Sequence, residues 1–202
     1  MIIVRKAKSK DIDDIVNIHL NRFASFFLTS LGVSFLKNFY KAFLKEPAIL
    51  LVIEDNNEIK GFAAGSKNNK GFFKKLLLNN FIGFCLVGTK ILFTNPKALI
   101  RLGTNASKSE KNNTIFVELL SIAAEKNKKG YGKILLNEFE KIISLDYCNE
   151  LPISLTTDFI NNQKVVDFYL NSGYEVLEVF EGYQKRKMYR LIKQQTKKKI
   201  NT

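Results

Sequence analysis

Gly130 and Gly132, which are separated by Tyr131, lie between an apolar run and an amphipathic segment. Glycine lets the backbone turn tightly, and the first backbone N–H groups of a helix have no partner within that helix. These N–H groups attract anions such as phosphate. Four lysines surround the loop and make its field positive: Lys126, Lys128, Lys129 and Lys133. The pattern indicates a cradle for a phosphorylated ligand, although a glycine pair at a helix start also occurs for steric reasons alone.

A second motif follows the last predicted core strand and reads Asn162-x-x-Val165-x-x-Phe168-Tyr169-x-x-x-Gly173-Tyr174. Asn162 stands where its side chain can cap a helix. Tyr169 carries a phenol that keeps its proton at neutral pH, since its ordinary pKa is about 10. The phenol can therefore supply a proton to a reaction, and packing of the helix against the sheet is the alternative role. For Phe168 we favour packing.

The segments that position these motifs alternate between strand and helix patterns. Helical periodicity covers 10–27, 31–44, 130–145 and 161–171. Strand patterns cover 2–7, 49–54, 58–65, 114–124, 152–157, 174–180 and 183–192. The order predicts a single mixed α/β domain spanning 1–193, followed by a basic tail at 194–202.

The segment 66–113 interrupts this alternation and is predicted to be a helical insert and loop. Within it, 71–103 is apolar, is punctuated by basic residues and is broken at Asn95-Pro96, which predicts two or three helices. The run 76–93 approaches the length of a membrane span, but polar residues interrupt it. We favour a lid over a substrate site, and an interfacial element on anionic lipid stays open as an alternative.

The composition indicates a globular protein with acidic partners. The 202 residues are 46% hydrophobic and 25% charged, and the formal net charge is +13. Such a charge favours phosphorylated cofactors, nucleic acid or anionic membranes. No zinc-finger, helix-turn-helix or RNA-binding motif is present in the sequence, so we expect no nucleic-acid partner.

The two cysteines, Cys85 and Cys148, are too few for a disulfide scaffold and form no metal-ligand pair. We therefore expect no metal. The first ten residues lead straight into a strand pattern and show no charged-then-apolar signal segment. Together these features favour a reducing, cytoplasmic compartment.

The two motifs together resemble the GNAT superfamily of acyl-CoA-dependent N-acyltransferases. The family's phosphate loop, Arg/Gln-x-x-Gly-x-Gly/Ala, is matched by Asn127-Lys128-Lys129-Gly130-Tyr131-Gly132, and its helix Asn-x-x-Ala-x-x-Phe-Tyr-x-x-x-Gly-Phe by the Asn162 motif. The predicted element order is similar too, with the helical insert between strands 3 and 4. Two residues depart from the pattern: Asn127 replaces the usual Arg or Gln, and Val165 the usual alanine.

The resemblance implies that acetyl-CoA lies in a split between the strands at 114–124 and 152–157. Its pantetheine arm would pair with the backbone of the first strand, and the lysine-rich loop would hold the pyrophosphate. The residues assigned to the cofactor in this way are Ile122, Ala123, Ala124, Lys128, Lys129, Gly130, Tyr131, Gly132, Lys133, Asn162 and Phe168.

The resemblance also assigns the acid and the base of an acetyl transfer to an amine. Glu118 lies where several family members carry a catalytic glutamate, so it is the candidate base. A carboxylate facing outward or paired with a lysine is its alternative role. Tyr169 is the candidate acid, aimed at the departing sulfur. The only histidine, His19, is expected at the surface or in a groove.

The acceptor would lie against the first two helices, at Arg22, Phe23, Phe26 and Thr29. An aromatic, basic pocket suits a small amine that is sugar-like or carries negative charge, and suits polyamines poorly. Two rivals stay open: an idle module that binds or senses acyl-CoA, and a peripheral membrane acyltransferase docked through 71–103. The insert and the terminal hairpin also permit a homodimer.

Overall fold

The described part of the chain folds into one seven-stranded β-sheet with helices packed on both faces. The structure is a computed structural model, and it describes residues 1–86, 114–127, 130–145, 150–182 and 185–195. Strands β1 to β7 are Ile2–Lys6, Ala48–Asp55, Glu58–Ser66, Val117–Ala124, Ile153–Asp158, Glu175–Glu181 and Lys187–Lys193. Helices α1 to α6 are Ile12–Arg22, Phe27–Ser30, Val33–Ala42, Phe72–Asn79, Tyr131–Leu145 and Gln163–Leu170. A 3-10 turn at Ser9–Asp11 precedes α1, and residues 81–86 are also helical.

The sheet has the order β1-β2-β3-β4-β5-β7-β6, and β4 with β5 is its one parallel pair within the described residues. Asn56 and Asn57 connect β2 to β3 with φ angles of 51° and 66°. Positive φ at both central residues is what a tight type I′ hairpin turn requires. A parallel pair instead needs a crossover, which α5 supplies between β4 and β5.

Strand β4 contains a bulge at Leu120, where Gly65 pairs with Leu119 and Ala64 pairs with Ser121. A bulge bends its strand and changes the direction of the side chains. Leu120 packs against the core that contains α1, and Ser121 hydrogen-bonds the Tyr40 hydroxyl on α3 in that same layer. The bulge therefore brings two consecutive side chains to one face of the sheet.

Each face of the sheet has its own hydrophobic core. We call the two sides the α1 face, which packs α1, α3 and α4, and the α5 face, which packs α5 and α6. Fully buried residues of the α1 face include Ile15, Leu36, Tyr40 and Phe62. Those of the α5 face include Leu135, Phe139 and Val117. The mixed α/β class predicted from the sequence is confirmed.

The predicted helix at 10–27 is too long, because α1 ends at Arg22 and α2 begins at Phe27. Phe23 leaves helical geometry with φ −121° and ψ 36°, and the Thr29 hydroxyl donates to its carbonyl at 2.6 Å. The rings of Phe23 and Phe26 meet edge to face at 5.0 Å. The apolar periodicity hides this break because aromatic residues occupy both sides of it. In the insert, α4 and residues 81–86 are helical as predicted, and 87–113 lies outside the described residues.

Candidate active site

The site is a cleft where β4 and β5 diverge. The two strands pair only from Val117 to Leu119 on β4, opposite Ile153 to Leu155 on β5. Beyond the bulge, Ile122, Ala123 and Ala124 stay paired with β3, and all three line a cavity of about 680 Å³ that reaches across to Thr156 on β5. Because no pairing with β5 is found beyond Leu119 in the described ranges, the backbone of β4 on that edge is available to a ligand.

One wall of the cavity, which we call the glycine-loop wall, contains Lys126, Gly132, Lys164 and Phe168. Gly130 holds φ at 87°, the left-handed conformation that glycine adopts at low cost, and α5 begins at the next residue. A Cβ atom built on Gly132 would lie 4.0 Å from the ring of Phe168, so the loop approaches α6 closely. Lys128 and Lys129 lie outside the described residues.

Two residues predicted to bind the cofactor have their side chains elsewhere. Lys133 Nζ donates to Ser172 Oγ at 2.9 Å, and its backbone N–H bonds the Gly130 carbonyl. Tyr131 is buried, and its hydroxyl donates to Asp55 Oδ2 at 2.7 Å. Neither residue lines the cavity. Gly132, which lies between them on α5, faces the cavity. Because consecutive positions in a helix point in different directions, the side chains of Tyr131 and Lys133 point away from the cavity.

Helix α6 places Tyr169 at the cavity wall, and this tyrosine is only 6% exposed. Its ring packs edge to face with Phe168 at 5.0 Å and with Tyr174 at 5.6 Å. Burial raises the pKa of Tyr169 well above its ordinary value, since the phenolate would lose its hydration. The phenol is therefore protonated at every pH of interest. Phe168 both packs this helix and lines the cavity.

Asn162 occupies the N-cap position of α6, but the predicted side-chain cap is wrong. Its amide nitrogen instead donates to Thr157 Oγ1 at 2.6 Å and to the Asp158 carbonyl at 3.2 Å. These bonds join the start of α6 to the end of β5. Because Asn162 and Thr157 both line the cavity, the amide shapes the wall that the two elements share.

Glu118 lies one position before Leu119 on β4, so its side chain points to the α1 face, opposite the buried Val117 and Leu119. It is half-buried and does not line the cavity. Burial raises the pKa of Glu118, and the positive charge of Arg190 partly opposes this. Arg190 itself donates to Glu178 Oε1 at 2.8 Å and stacks over the ring of Phe116 at 5.4 Å.

The opposite wall, which we call the aromatic wall, contains three of the four residues predicted for the acceptor: Arg22, Phe23 and Phe26. Thr29 does not line the cavity, because its hydroxyl is committed to the Phe23 carbonyl. That bond stabilises the turn between α1 and α2, which in turn presents Phe23 and Phe26.

The sequence did not indicate Arg186 and Asp158 as site residues. Both line the cavity and form a two-point ion pair, and the Arg186 guanidinium lies 5.4 Å from the ring centre of Phe26. Asp158 ends β5 and Arg186 precedes β7, so only the pairing of these strands brings them together. No local spacing could have predicted this contact with the segment between α1 and α2.

His19 is 2% exposed and lines the cavity, so the surface alternative is wrong and the groove alternative applies. Its Nδ1 lies 2.7 Å from the Tyr40 hydroxyl, and its ring meets Phe23 edge to face at 5.0 Å. Burial lowers the pKa of His19 to about 4, so the ring is neutral near pH 7. A lone histidine on an apolar helix face gives no local sign of this environment.

The cavity carries more positive than negative charge. Four basic side chains line it (Arg22, Lys126, Lys164 and Arg186) against two acidic ones (Glu125 and Asp158). Such an imbalance favours anionic ligands. Within the described ranges, no group of three or more His, Cys, Asp or Glu residues is arranged to hold a metal ion.

Comparison with known proteins agrees with this geometry. The family model described as "Acetyltransferase (GNAT) family" matches residues 12–174. No curated protein matches the chain significantly.

Several solved structures have a similar fold at low sequence identity. NAA60 from Arabidopsis thaliana, in complex with a bisubstrate analogue, aligns with a TM-score of 0.62 at 15% identity, covering 97% of this chain and 100% of that one. The ribosomal-protein-S18-alanine N-acetyltransferase from Escherichia coli gives 0.59 at 11%, covering 100% and 99%. An aminoglycoside 6'-acetyltransferase type Ii gives 0.59 at 14%, covering 95% and 96%.

At such identities these structures show the fold alone, whereas the family model spans most of the chain and both motifs. The chain therefore belongs to the GNAT family of acetyltransferases.

Proposed function

We propose that this protein transfers an acetyl group from acetyl-CoA to the primary amine of a small acceptor that is sugar-like or negatively charged. The observation that carries the proposal is one cavity that is lined by the glycine loop, by the aromatic wall and by Tyr169 of α6. A ligand that spans both walls brings its reactive end next to the opened edge of β4.

The described residues fit acetyl-CoA. The unpaired edge of Ile122–Ala124 presents backbone groups at the spacing of a strand, which suits the amides of a pantetheine arm. Gly130 and the start of α5 direct N–H groups toward a phosphate, and Lys126 and Lys164 add positive charge. A backbone N–H on the same edge of β4 can polarise the thioester carbonyl.

Acetyl transfer forms one C–N bond and breaks one C–S bond, so one proton leaves the nitrogen and another reaches the sulfur. We assign the second proton to Tyr169, whose phenol is kept protonated by burial. The first proton passes to Glu118, whose pKa is raised by burial, which makes its carboxylate a stronger base. Because Glu118 does not line the cavity, this assignment requires that water relay the proton between the amine and the carboxylate.

The aromatic wall supports the acceptor class. Guanidinium groups bind phosphate and carboxylate through paired hydrogen bonds, and Arg22 lines the cavity, whereas Arg186, which also lines it, already donates to Asp158. A polyamine would meet Arg22 and a carboxylate that is already paired with Arg186. An amine linked to phosphate, nucleotide or carboxylate meets the complementary charge.

Thiol release from acetyl-CoA tests the proposal against a panel of amino sugars, amino-sugar phosphates, nucleotide-linked amino sugars, amino acids and polyamines. We expect release that depends on an amine and is fastest with the anionic or sugar amines. Tight acetyl-CoA binding with no amine-dependent release would indicate the idle module instead. Release with polyamines alone would contradict the acceptor class.

A second candidate, a peripheral membrane acyltransferase, is favoured by one observation on α4 and residues 81–86. Leu78, Phe81 and Ile82 are 63%, 60% and 75% exposed, with the exposed Lys74 and Lys75 beside them. Apolar residues flanked by lysines are typical of helices that lie on anionic lipid. None of the helices in the described residues is both long and apolar enough to span a bilayer.

Co-sedimentation with vesicles distinguishes the membrane enzyme from an enzyme without lipid contact. Binding to vesicles containing phosphatidylglycerol, with loss of binding in Ile82→Glu, supports docking. Val33→Glu is a matched control, since Val33 is also exposed, at 47%, but lies on α3. Equal binding of both variants, or no binding of the wild type, contradicts docking through this surface.

A further inference from the structure

The glycine loop carries one large side chain, Tyr131, between Gly130 and Gly132. Tyr131 is 7% exposed and belongs to the core of the α5 face, and it does not line the cavity. Its hydroxyl donates at 2.7 Å to Oδ2 of Asp55, the last residue of β2, which lies 76 positions away in the chain. A hydrogen bond to a carboxylate at this length is stronger than one between neutral groups. The loop is therefore tied to a distant strand by one specific bond.

Both ends of the segment 125–131 contact the hairpin formed by β2 and β3. At its start, the Glu125 backbone N–H donates to the Lys60 carbonyl at 2.9 Å, and Lys60 Nζ lies 3.3 Å from Glu125 Oε2. At its end, the Tyr131 hydroxyl bonds Asp55. The hairpin is paired along its length and lies between β1 and β4 in the sheet. It therefore gives the segment a fixed support on both sides of the glycine loop.

A loop that contains two glycines needs such a support if it is to bind phosphate well. Glycine has more backbone freedom than any other residue, so holding Gly130 at φ 87° costs conformational entropy. A ligand that must order the loop on binding loses this part of its affinity, whereas a loop that is fixed in advance avoids the loss. The N–H groups at the start of α5 attract an anion, and their direction follows from the conformation at Gly130. Fixing the side chain of Tyr131 fixes that direction.

We propose that Tyr131 is a positioning residue for the pyrophosphate of acetyl-CoA, held by Asp55 so that the N–H groups at the start of α5 face the phosphate before the ligand binds. This inference rests on the proposed use of acetyl-CoA. Tyr131 acts through the backbone of the loop, because its side chain points away from the cavity. Asp55 does not line the cavity either, so its carboxylate meets the tyrosine hydroxyl and not the ligand.

Three substitutions test the bond itself. Tyr131→Phe removes the hydroxyl and keeps the ring in the core. Asp55→Ala removes the acceptor, whereas Asp55→Asn keeps a neutral oxygen that can accept from the hydroxyl. Isothermal titration should show acetyl-CoA affinity lower by about fivefold in Tyr131→Phe and in Asp55→Ala, and by a smaller factor in Asp55→Asn. The double variant of Tyr131→Phe with Asp55→Ala should lose no more than either single one, because both changes remove the same bond.

A comparison of two acetyl donors separates positioning from a general loss of structure. S-acetylpantetheine has the thioester and the pantetheine arm but no pyrophosphate, so it offers nothing for the glycine loop to bind. With the amine that the wild type uses fastest, Tyr131→Phe should lower kcat/KM for acetyl-CoA by about fivefold and leave kcat/KM for S-acetylpantetheine unchanged. Tyr174→Phe is the matched control, because it also removes a hydroxyl from a buried tyrosine of the α5 face. Its affinity for acetyl-CoA should equal that of the wild type.

Several results would overturn the positioning role: an unchanged acetyl-CoA affinity in Tyr131→Phe, equal losses with both donors, an equal loss in Tyr174→Phe, or losses that add in the double variant. A lower melting temperature of Tyr131→Phe with unchanged affinity would show that the bond only stabilises the fold. A wild type that binds no acetyl-CoA would overturn the proposed function together with this inference. A wild type that binds acetyl-CoA and releases no thiol would contradict acetyl transfer, and the titrations would still decide the role of Tyr131.

Discussion

The two walls of the cavity are built in different ways. The glycine-loop wall comes from short stretches of chain, in which Gly130 and Gly132 set the backbone conformation and Phe168 packs close by. The aromatic wall comes from contacts between distant segments, such as Arg186 with Phe26 and His19 with Tyr40. The first wall combines the backbone of the glycine loop with the side chains of Lys126, Lys164 and Phe168, and the second offers side chains alone. A cofactor shared by a family suits the first, and an acceptor particular to one protein suits the second.

The difference has a physical basis. Backbone N–H groups at a helix start are available in any sequence that lets the chain turn there, so few residue types are needed. Side chains such as Arg186 must instead be brought to their position by strand pairing and core packing. Changes at the two walls should therefore have separable effects, on acetyl-CoA binding and on the use of the amine.

The largest expected effect is at Tyr169, which lines the same cavity as both walls. Tyr169→Phe removes the proton that we assign to the departing sulfur, and general acid catalysis contributes about 10²–10⁴-fold to a rate. We expect kcat to fall by about a hundredfold, with the acetyl-CoA dissociation constant unchanged. Tyr174→Phe is the matched control, since its ring contacts Tyr169 at 5.6 Å but does not line the cavity. Equal turnover in Tyr169→Phe and the wild type would exclude the acid role.

The next effect tests the glycine-loop wall alone. Gly130→Val forces a β-branched residue to φ 87°, which distorts the loop. Isothermal titration should show acetyl-CoA affinity lower by about tenfold or more, equivalent to about 1.4 kcal/mol. Gly71→Val is a matched control, because Gly71 has φ 62° and lies just before α4. A Cβ atom built on Gly71, like one built on Gly130, would have no atom within 4 Å. If both variants bind acetyl-CoA equally well, the loop is not the cradle.

The smallest effect is at Glu118, on the α1 face. As the base, Glu118 must be ionised, so activity falls as the pH drops through its raised pKa. Glu118→Gln removes this limb and shifts the rate profile to higher pH, where the amine loses its proton unaided. Glu175→Gln, at an exposed position of β6 away from the cavity, should leave the profile unchanged. An unchanged profile in Glu118→Gln would remove Glu118 as the base.

Stability gives a second, independent measure of Glu118. Because burial raises its pKa, the folded protein holds this proton more tightly than the unfolded chain does. The stabilising contribution is present below the ordinary glutamate pKa and is lost as the pH rises toward the folded pKa. The melting temperature of Glu118→Gln minus that of the wild type should therefore be larger at pH 8 than at pH 4. A difference independent of pH would contradict the raised pKa.

Much of the glycine-loop wall could be predicted from the sequence because its signals are local. A conformation is predicted within a few residues by each of three features: the pair Gly130 and Gly132, the apolar run before them, and the Asn162 motif. Prediction failed where a side chain had a choice of partner. Asn162 bonds Thr157 rather than capping α6, Thr29 bonds the Phe23 carbonyl, and Lys133 bonds Ser172. A motif gives the position of a residue on its helix but not which neighbour its polar atoms meet.

By itself the sequence determined the order of strands and helices, the position of the glycine loop and the family, because hydrophobic periodicity and glycine conformation act over short distances. Only the tertiary structure decided which residues form the aromatic wall. The bulge at Leu120 turns Ser121 toward Tyr40, and the pairing of β5 with β7 brings Arg186 to the cavity. These contacts join segments that are far apart in the chain, and their geometry follows from the packing of the whole sheet.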